Sequence, residues 1–354
     1  MISTSNVHIK SLKALTPPAL LLEQQLIDEV TALHVDTSRQ SICDSLHGRS
    51  KKLVVVVGPC SIHDPKAAVD YAERIQSVQK QYADQLFLVM RVYFEKPRTR
   101  IGWKGLINDP DLDGSFAINK GLDIARSLLL TINRMGIPTG SEFLDTITPQ
   151  YIADVTTWSA IGARTTESQI HRELASGLSM PVGFKNSTNG SVHTATDAVC
   201  AASHPHHFLG VCAQGTASIV STTGNKDCHI ILRGGHNSTN YDSASVSTAV
   251  SHLEKNKSTP RVMIDMSHGN SNKEFKKQTL VAEAIAQQLA NGSPSIFGVM
   301  IESNIHSGNQ ALTNKDTLKY GVSITDACIN WSDTVDIFDR LAEATEKRKA
   351  TYVE

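Results

Sequence analysis

The chain has 354 residues, with 34 Lys and Arg against 35 Asp and Glu, a formal net charge of -1 and only 5% aromatic residues. With no net positive field to draw a phosphodiester backbone and few rings to stack bases, a nucleic-acid partner is excluded as a first expectation. No apolar run approaches the roughly 20 residues that span a bilayer, so no membrane partner is expected either.

Six cysteines, Cys43, Cys60, Cys200, Cys212, Cys228 and Cys328, are scattered without a CxxC pair, and the N-terminus carries no secretory pattern. That usage predicts free thiols and a cytoplasmic location. Residues 1–50 are polar and weakly patterned. After Pro17-Pro18, an amphipathic stretch from Ala19 to Val30 reads as a helix. The segment is expected to be an N-terminal extension to a core domain at 51–354.

From Leu53 onward, short β-branched apolar runs alternate with helical patterns. The runs are LVVVV (53–57), LFLVM (86–90), IPTGSEF (137–143), AIGAR (160–164), PVGFK (181–185), HIILR (229–233), RVMIDM (261–266) and FGVMIE (297–302). Between them, Pro65–Lys80, Lys120–Met135 and Lys277–Ala290 carry apolar residues at the helical period. Continuous apolar runs suit strands buried on both faces, and intervening helices make the crossovers that parallel strands require. Eight such units predict a (β/α)8 TIM barrel, with a doubly wound open sheet as the alternative. Two gaps are long enough for insertions. The first holds a basic loop, Lys96 to Gly105; the second, at about 206–224, reads as a β-hairpin before the sixth barrel strand.

In a barrel, chemistry belongs where strands end. The candidate strands end on or near Cys60, Arg91, Glu142, Arg164, Lys185, Arg233, His268 and Glu302. Arg91, Lys96, Arg98, Arg164, Lys185 and Arg233 are cations that, if convergent, would bind a small phosphorylated acid. Any one of them alone would read as an ordinary surface charge. Cys60, His268, Glu302 and Asp326 form a mixed S/N/O set suited to Mn, Fe, Co or Zn rather than Mg or Ca. Cys60 as a packed thiol and His268 as a loop histidine are the plain alternatives. His204-Pro205-His206-His207 is expected to serve the loop rather than a metal, while Gly269–Lys273 resembles a weak phosphate nest.

The segments GPCSIHDP (58–65), KPRTRIGWKGLINDP (96–110), GARTTESQIHRELASGLSMPVGFKN (162–186), ILRGG (231–235), DMSHGNSNK (265–273), GVMIESNIHSGNQ (298–310) and GVSITDACINW (321–331) resemble type I 3-deoxy-D-arabino-heptulosonate 7-phosphate (DAHP) synthases. The resemblance implies a condensation of phosphoenolpyruvate with erythrose 4-phosphate and water that opens the shikimate pathway. It further implies that Arg91, Lys96, Arg164, Lys185 and Arg233 bind phosphoenolpyruvate and that Arg98 and Thr99 grip erythrose 4-phosphate. Cys60, His268, Glu302 and Asp326 would hold the metal. Lys96 is the expected proton carrier, with Glu142 or a metal-held water as the alternative. By the same resemblance the extension and hairpin build subunit contacts, in a homodimer or homotetramer, and a feedback pocket. That pocket would comprise Pro149, Gln150, Leu178, Ser179, Phe208, Gly210 and Val220. Gly210, where phenylalanine-regulated members typically carry Ser, leaves room for a phenolic hydroxyl and resembles the tyrosine-regulated members. The related 3-deoxy-D-manno-octulosonate 8-phosphate synthases, and a catalytically silent sensor on the same fold, are the competing readings.

Overall fold

The computed structural model describes residues 4–98 and 101–350. Ten strands, numbered in chain order, are β1 (Leu53–Gly58), β2 (Leu86–Arg91), β3 (Thr139–Glu142), β4 (Trp158–Ile161), β5 (Val182–Lys185), β6 (His207–Val211), β7 (Ala217–Ser221), β8 (Cys228–Leu232), β9 (Val262–Asp265) and β10 (Ile296–Glu302). All but β6 and β7 close into a parallel barrel in which strands adjacent in sequence are neighbours throughout, β10 pairing back onto β1. The eight predicted strands are therefore the eight barrel strands. Most boundaries move by a residue or two, and the largest shift is at β4, which starts at Trp158 and ends at Ile161, so Arg164 stands in the turn beyond the strand rather than at its tip.

Helices α3 (Pro65–Gln79), α4 (Ile118–Arg134), α5 (Pro149–Ile152), α6 (Gln169–Ala175), α7 (His193–Ala202), α8 (Ser243–Lys255), α9 (Gln278–Ala290) and α10 (Trp331–Ala350) follow the barrel strands. Why the strands read as unbroken apolar runs is plain in β1, which is buried at every position. Val54 and Val56 point into the barrel with Val89, Trp158, Ala160, Ile231, Met263 and Met300, while Leu53, Val55 and Val57 join the core beneath the helices. Each such side chain contributes roughly 1.5–3 kcal/mol by leaving water.

The N-terminal segment departs from the Ala19–Val30 helix. It forms two helices, α1 (Pro18–Gln24) and α2 (Glu29–Leu46). The break is set by Asp28, whose side chain accepts from the Thr31 backbone N–H at 2.8 Å and so caps α2, and by Arg126, whose Nε donates to the Gln25 carbonyl at 3.0 Å. Small polar residues hid α2 in the sequence: its buried stripe includes Thr31, Ser38 and Ser45 beside Val35, Ile42 and Leu46. Ile42 and Leu46 pack into the barrel interior cluster, so α2 supplies apolar contacts to that core.

The hairpin β6–β7 is antiparallel with His207 opposite Ser221 and Phe208 opposite Val220. Its root is tied to the turn after α6 by Ser176 Oγ and Thr222 Oγ1 at 2.7 Å, and its tip receives the Ala19 N–H at the Ala213 carbonyl, 2.7 Å away. The histidines before it are structural, as expected. His204 and His206 donate to the Cys200 and Ala201 carbonyls, each at 2.8 Å, and His207 pairs with the Ser221 hydroxyl. Among the described residues no helix is long and apolar enough to cross a membrane.

Candidate active site

The C-terminal ends of the strands converge on one rim, and local backbone choices decide what reaches it. β1 ends at Gly58, with φ at +151°, where an added Cβ would lie 3.0–3.2 Å from atoms of Arg91. Glycine thus lets β2 approach and turns the chain so that Cys60 follows two residues later. Arg91, the last residue of β2, is 1% exposed and donates from Nη2 to Glu302 Oε1 at 3.1 Å. Its guanidinium also lies 4.0 Å from the centroid of the Tyr93 ring, a cation–π contact in a water-poor interior.

Cys60, Glu302 and Asp326 each offer a ligand atom, and the three atoms lie within 4.8 Å of one another. They come from the turn after β1, the end of β10 and the loop before α10. His268 stands outside that trio, although its Nε2 is 3.8 Å from Glu302 Oε1. It adopts φ of +54°, a left-handed conformation uncommon for a side-chain-bearing residue, which turns the ring toward the rim. Burial opposes ionisation of Glu302, but His268, Arg91 and Lys96 outweigh it and hold the carboxyl down at about 2. Burial pushes the Cys60 thiol up to about 12, with Glu302 and Asp326 adding to the rise and Lys96 working against it. A thiol and two carboxylates this close, with the His268 imidazole beside Glu302, match a borderline divalent ion, whose charge would also lower the barrier to thiolate formation.

The cations divide into two groups. Lys96 points inward, its Nζ 3.1 Å from Cys60 Sγ. Burial disfavours its charge, yet Cys60, Asp326, Glu142 and Glu302 more than offset that, and the ammonium is held above its usual range. Lys185, which ends β5, is 5% exposed, with Nζ 3.0 Å from Asp265 Oδ2. Arg233 follows β8 and lies near enough to Arg164 for the two positive charges to repel. Arg98 is exposed and donates from Nε to the Trp103 carbonyl at 2.8 Å, so in this structure it closes its own loop rather than facing the metal donors. Thr99 lies outside the described residues. That loop is pinned at its base by the Lys96 N–H to Lys104 carbonyl bond of 2.9 Å, and Gly105, at φ +116°, passes so close to the Phe94 carbonyl that no side chain fits. Glu142 ends β3 at 6% exposure and faces Gly162.

The expected phosphate nest at Gly269–Lys273 is corrected. The amides of Asn270, Asn272 and Lys273 are taken by the carbonyls of Arg233, Gly269 and His268, so they cannot cradle an anion. The seven proposed feedback residues fall on three segments. Phe208, Gly210 and Val220 share the half-buried face of the hairpin, Leu178 and Ser179 follow α6, and Pro149 and Gln150 open α5. The room left by Gly210 is partly taken, since a Cβ there would meet Val220 Cγ2 at 2.6 Å.

Two central residues escaped the sequence reading. Tyr93 is buried with its hydroxyl lacking a hydrogen-bond partner among the described residues, and Asp265 is 0% exposed between Lys185 and His268. Asp265 ends the apolar run RVMID, and an acid closing a buried strand was the available signal.

A (β/α)8 barrel that collects soft and hard metal donors beside buried and half-buried cations on one rim defines a class: an enzyme that handles small, highly anionic substrates. The chain belongs to the DAHP synthetase I family, matching it over residues 27–339. It is 54% identical to the Phe-sensitive phospho-2-dehydro-3-deoxyheptonate aldolase of Escherichia coli, covering 97% of this chain and 98% of the relative. It is 53% identical to the tyrosine-inhibited phospho-2-dehydro-3-deoxyheptonate aldolase of Schizosaccharomyces pombe, covering 94% and 91%. The solved phospho-2-dehydro-3-deoxyheptonate aldolase of Francisella tularensis superposes with a TM-score of 0.94 at 50% identity, covering 96% of this chain and 99% of that one.

Proposed function

We propose that this chain catalyses the condensation of phosphoenolpyruvate with D-erythrose 4-phosphate and water to give DAHP and inorganic phosphate, the first step of the shikimate pathway. The observation that carries this reading is the convergence of Cys60, Glu302 and Asp326 with Lys96 and Arg91 on the rim of a DAHP-synthetase-family barrel. In the proposed arrangement Arg91, Lys96, Arg164, Lys185 and Arg233 hold the carboxylate and phosphate of phosphoenolpyruvate, while Arg98 and Thr99 hold the phosphate of the aldehyde. Both substrates are polyanions, and only a cationic rim offsets their repulsion at close range.

Cys60, His268, Glu302 and Asp326 would hold a divalent ion of the Mn, Fe, Co or Zn group, which when bound polarises the aldehyde carbonyl. C3 of phosphoenolpyruvate attacks that carbon, and Lys96, charged at neutral pH, delivers a proton to the oxygen that gains charge. Glu142 is the alternative proton carrier. Water adds at C2, and the hemiketal phosphate loses inorganic phosphate by C–O cleavage. Turnover with four-carbon against five-carbon aldose phosphates tests the assignment: preference for the four-carbon aldehyde is expected. Preference for the five-carbon sugar would favour the octulosonate relative, and no turnover with either would favour the silent sensor. Phosphoenolpyruvate labelled at its bridging oxygen should release the label with phosphate; label kept in the sugar would refute C–O cleavage.

The extension at 1–50 and the hairpin at 206–224 are proposed to serve subunit contacts and feedback in a cytoplasmic homodimer or homotetramer. Exposed Val7, Ile9 and Leu12 on the extension and Leu209 and Ile219 on the hairpin support it. Tyrosine is the proposed effector, through Gly210. The phenylalanine- and tyrosine-regulated relatives are almost equally similar, so Gly210 carries that choice.

A further inference from the structure

We infer that Asp265 is a positioning residue whose single carboxylate oxygen couples the metal side of the rim to its anion-binding side. The inference rests on the proposed roles of His268 and Lys185. Asp265 Oδ2 lies 2.9 Å from His268 Nδ1 and 3.0 Å from Lys185 Nζ, close ionic contacts that are not aligned as hydrogen bonds in this structure, and the residue is fully buried. The residue is held at both its side chain and its main chain. Its Oδ1 accepts the Ser267 N–H at 2.9 Å, and the Asp265 carbonyl accepts from Asn270 Nδ2 at 2.9 Å.

The geometry has a chemical consequence for each partner. A carboxylate oxygen 2.9 Å from Nδ1 favours a proton on that nitrogen by its charge, which leaves the Nε2 lone pair on the side of Glu302, 3.8 Å from Oε1. A ring holding its proton on Nε2 could not ligate through that nitrogen. For Lys185 the same oxygen attracts the ammonium at the end of β5 from 3.0 Å, so the lysine is drawn to this side of the rim before any substrate arrives. Asp265 touches neither reactant in this arrangement; it acts through two others.

The test is a set of double-mutant cycles on the full-length protein, reading Mn2+ affinity by calorimetry and phosphoenolpyruvate KM by turnover. Asp265→Asn is expected to weaken Mn2+ binding by about ten- to hundredfold, the loss typical when a histidine ligand's orienting partner is removed. It should also raise the KM. In a His268→Ala background the Mn2+ effect of Asp265→Asn should vanish, and in a Lys185→Ala background the KM effect should vanish. Full effects persisting in those backgrounds would mean a general structural role and would overturn the inference. Should His268→Ala leave Mn2+ affinity unchanged, the ligand reading itself falls. Should it weaken binding while Asp265→Asn does not, only the role of Asp265 falls. Independently of any variant, ring 15N shifts of His268 in the zinc-loaded wild-type protein should place the proton on Nδ1 and the metal on Nε2. The reverse assignment would refute the proposal.

Discussion

At the scale of single residues, Cys60 shows how far environment departs from residue type. An isolated thiol is a weak ligand near neutral pH, and here burial with two acids pushes it further from ionisation. Its use as a ligand therefore depends on the ion. Cys60→Ala is expected to remove Mn2+ binding and turnover together, and added Mn2+ or Co2+ should not restore activity, whereas chelator-treated wild-type protein should recover with either. Activity surviving chelation in the wild type would sink the metal assignment. Most of the residue types at the rim were legible from the sequence because they sit at or just beyond the end of an apolar run. Asp265 was not, because its role depends on Lys185 and His268, which are 80 and 3 residues away.

At the scale of elements, α2 and the hairpin are the additions to the barrel. Ile42 and Leu46 on α2 belong to the barrel interior cluster, so the helix is part of the core and not an appendage. Ile42→Ala should destabilise by about 2–5 kcal/mol, read as a lower urea midpoint with unchanged slope. A loss under about 0.5 kcal/mol would mean that α2 only rests on the barrel. The hairpin is a two-stranded ribbon, marginal by itself, and is anchored at its root by Ser176 and at its tip by the backbone of α1. That linkage joins extension and hairpin mechanically. Tyrosine is expected to inhibit more strongly than phenylalanine, and Gly210→Ser to narrow or invert the preference while leaving uninhibited turnover unchanged. Suppression by phenylalanine with no response to tyrosine would overturn the effector assignment. Hairpin position and approximate limits were readable from two short runs around Gln214-Gly215. The filling of the Gly210 space by Val220 was not, since it depends on a cross-strand side-chain conformation.

At the scale of the molecule, charge is distributed so that buried groups titrate far from their ordinary values. Glu95, beside the basic loop, is pushed up to about 9 by burial and by Asp145. A carboxyl raised in the folded state contributes stability below its unfolded value of about 4.5 that is lost as pH rises toward 9. Melting temperature should therefore fall between those limits in the wild type. Glu95→Gln, which keeps the shape of the neutral acid, should flatten that fall; an unchanged slope would place the pH dependence elsewhere.

The amino-acid order alone determined the barrel. Strand runs and helical periods are local, each is dictated by burying apolar side chains on two faces or one, and eight repeats admit few closures. It also determined which residue types stand at the rim. Only the tertiary structure decided which of them meet. Cys60, Glu302 and Asp326 converge across 266 residues of chain, His268 comes within 3.8 Å of Glu302, and the amides of Asn270, Asn272 and Lys273 are spent on neighbouring carbonyls. The reason is physical. Patterning reports which face of an element is buried, but a ligand sphere, an ion pair or a tautomer depends on distances of a few ångströms between residues far apart in the chain, and closure of the barrel sets those distances.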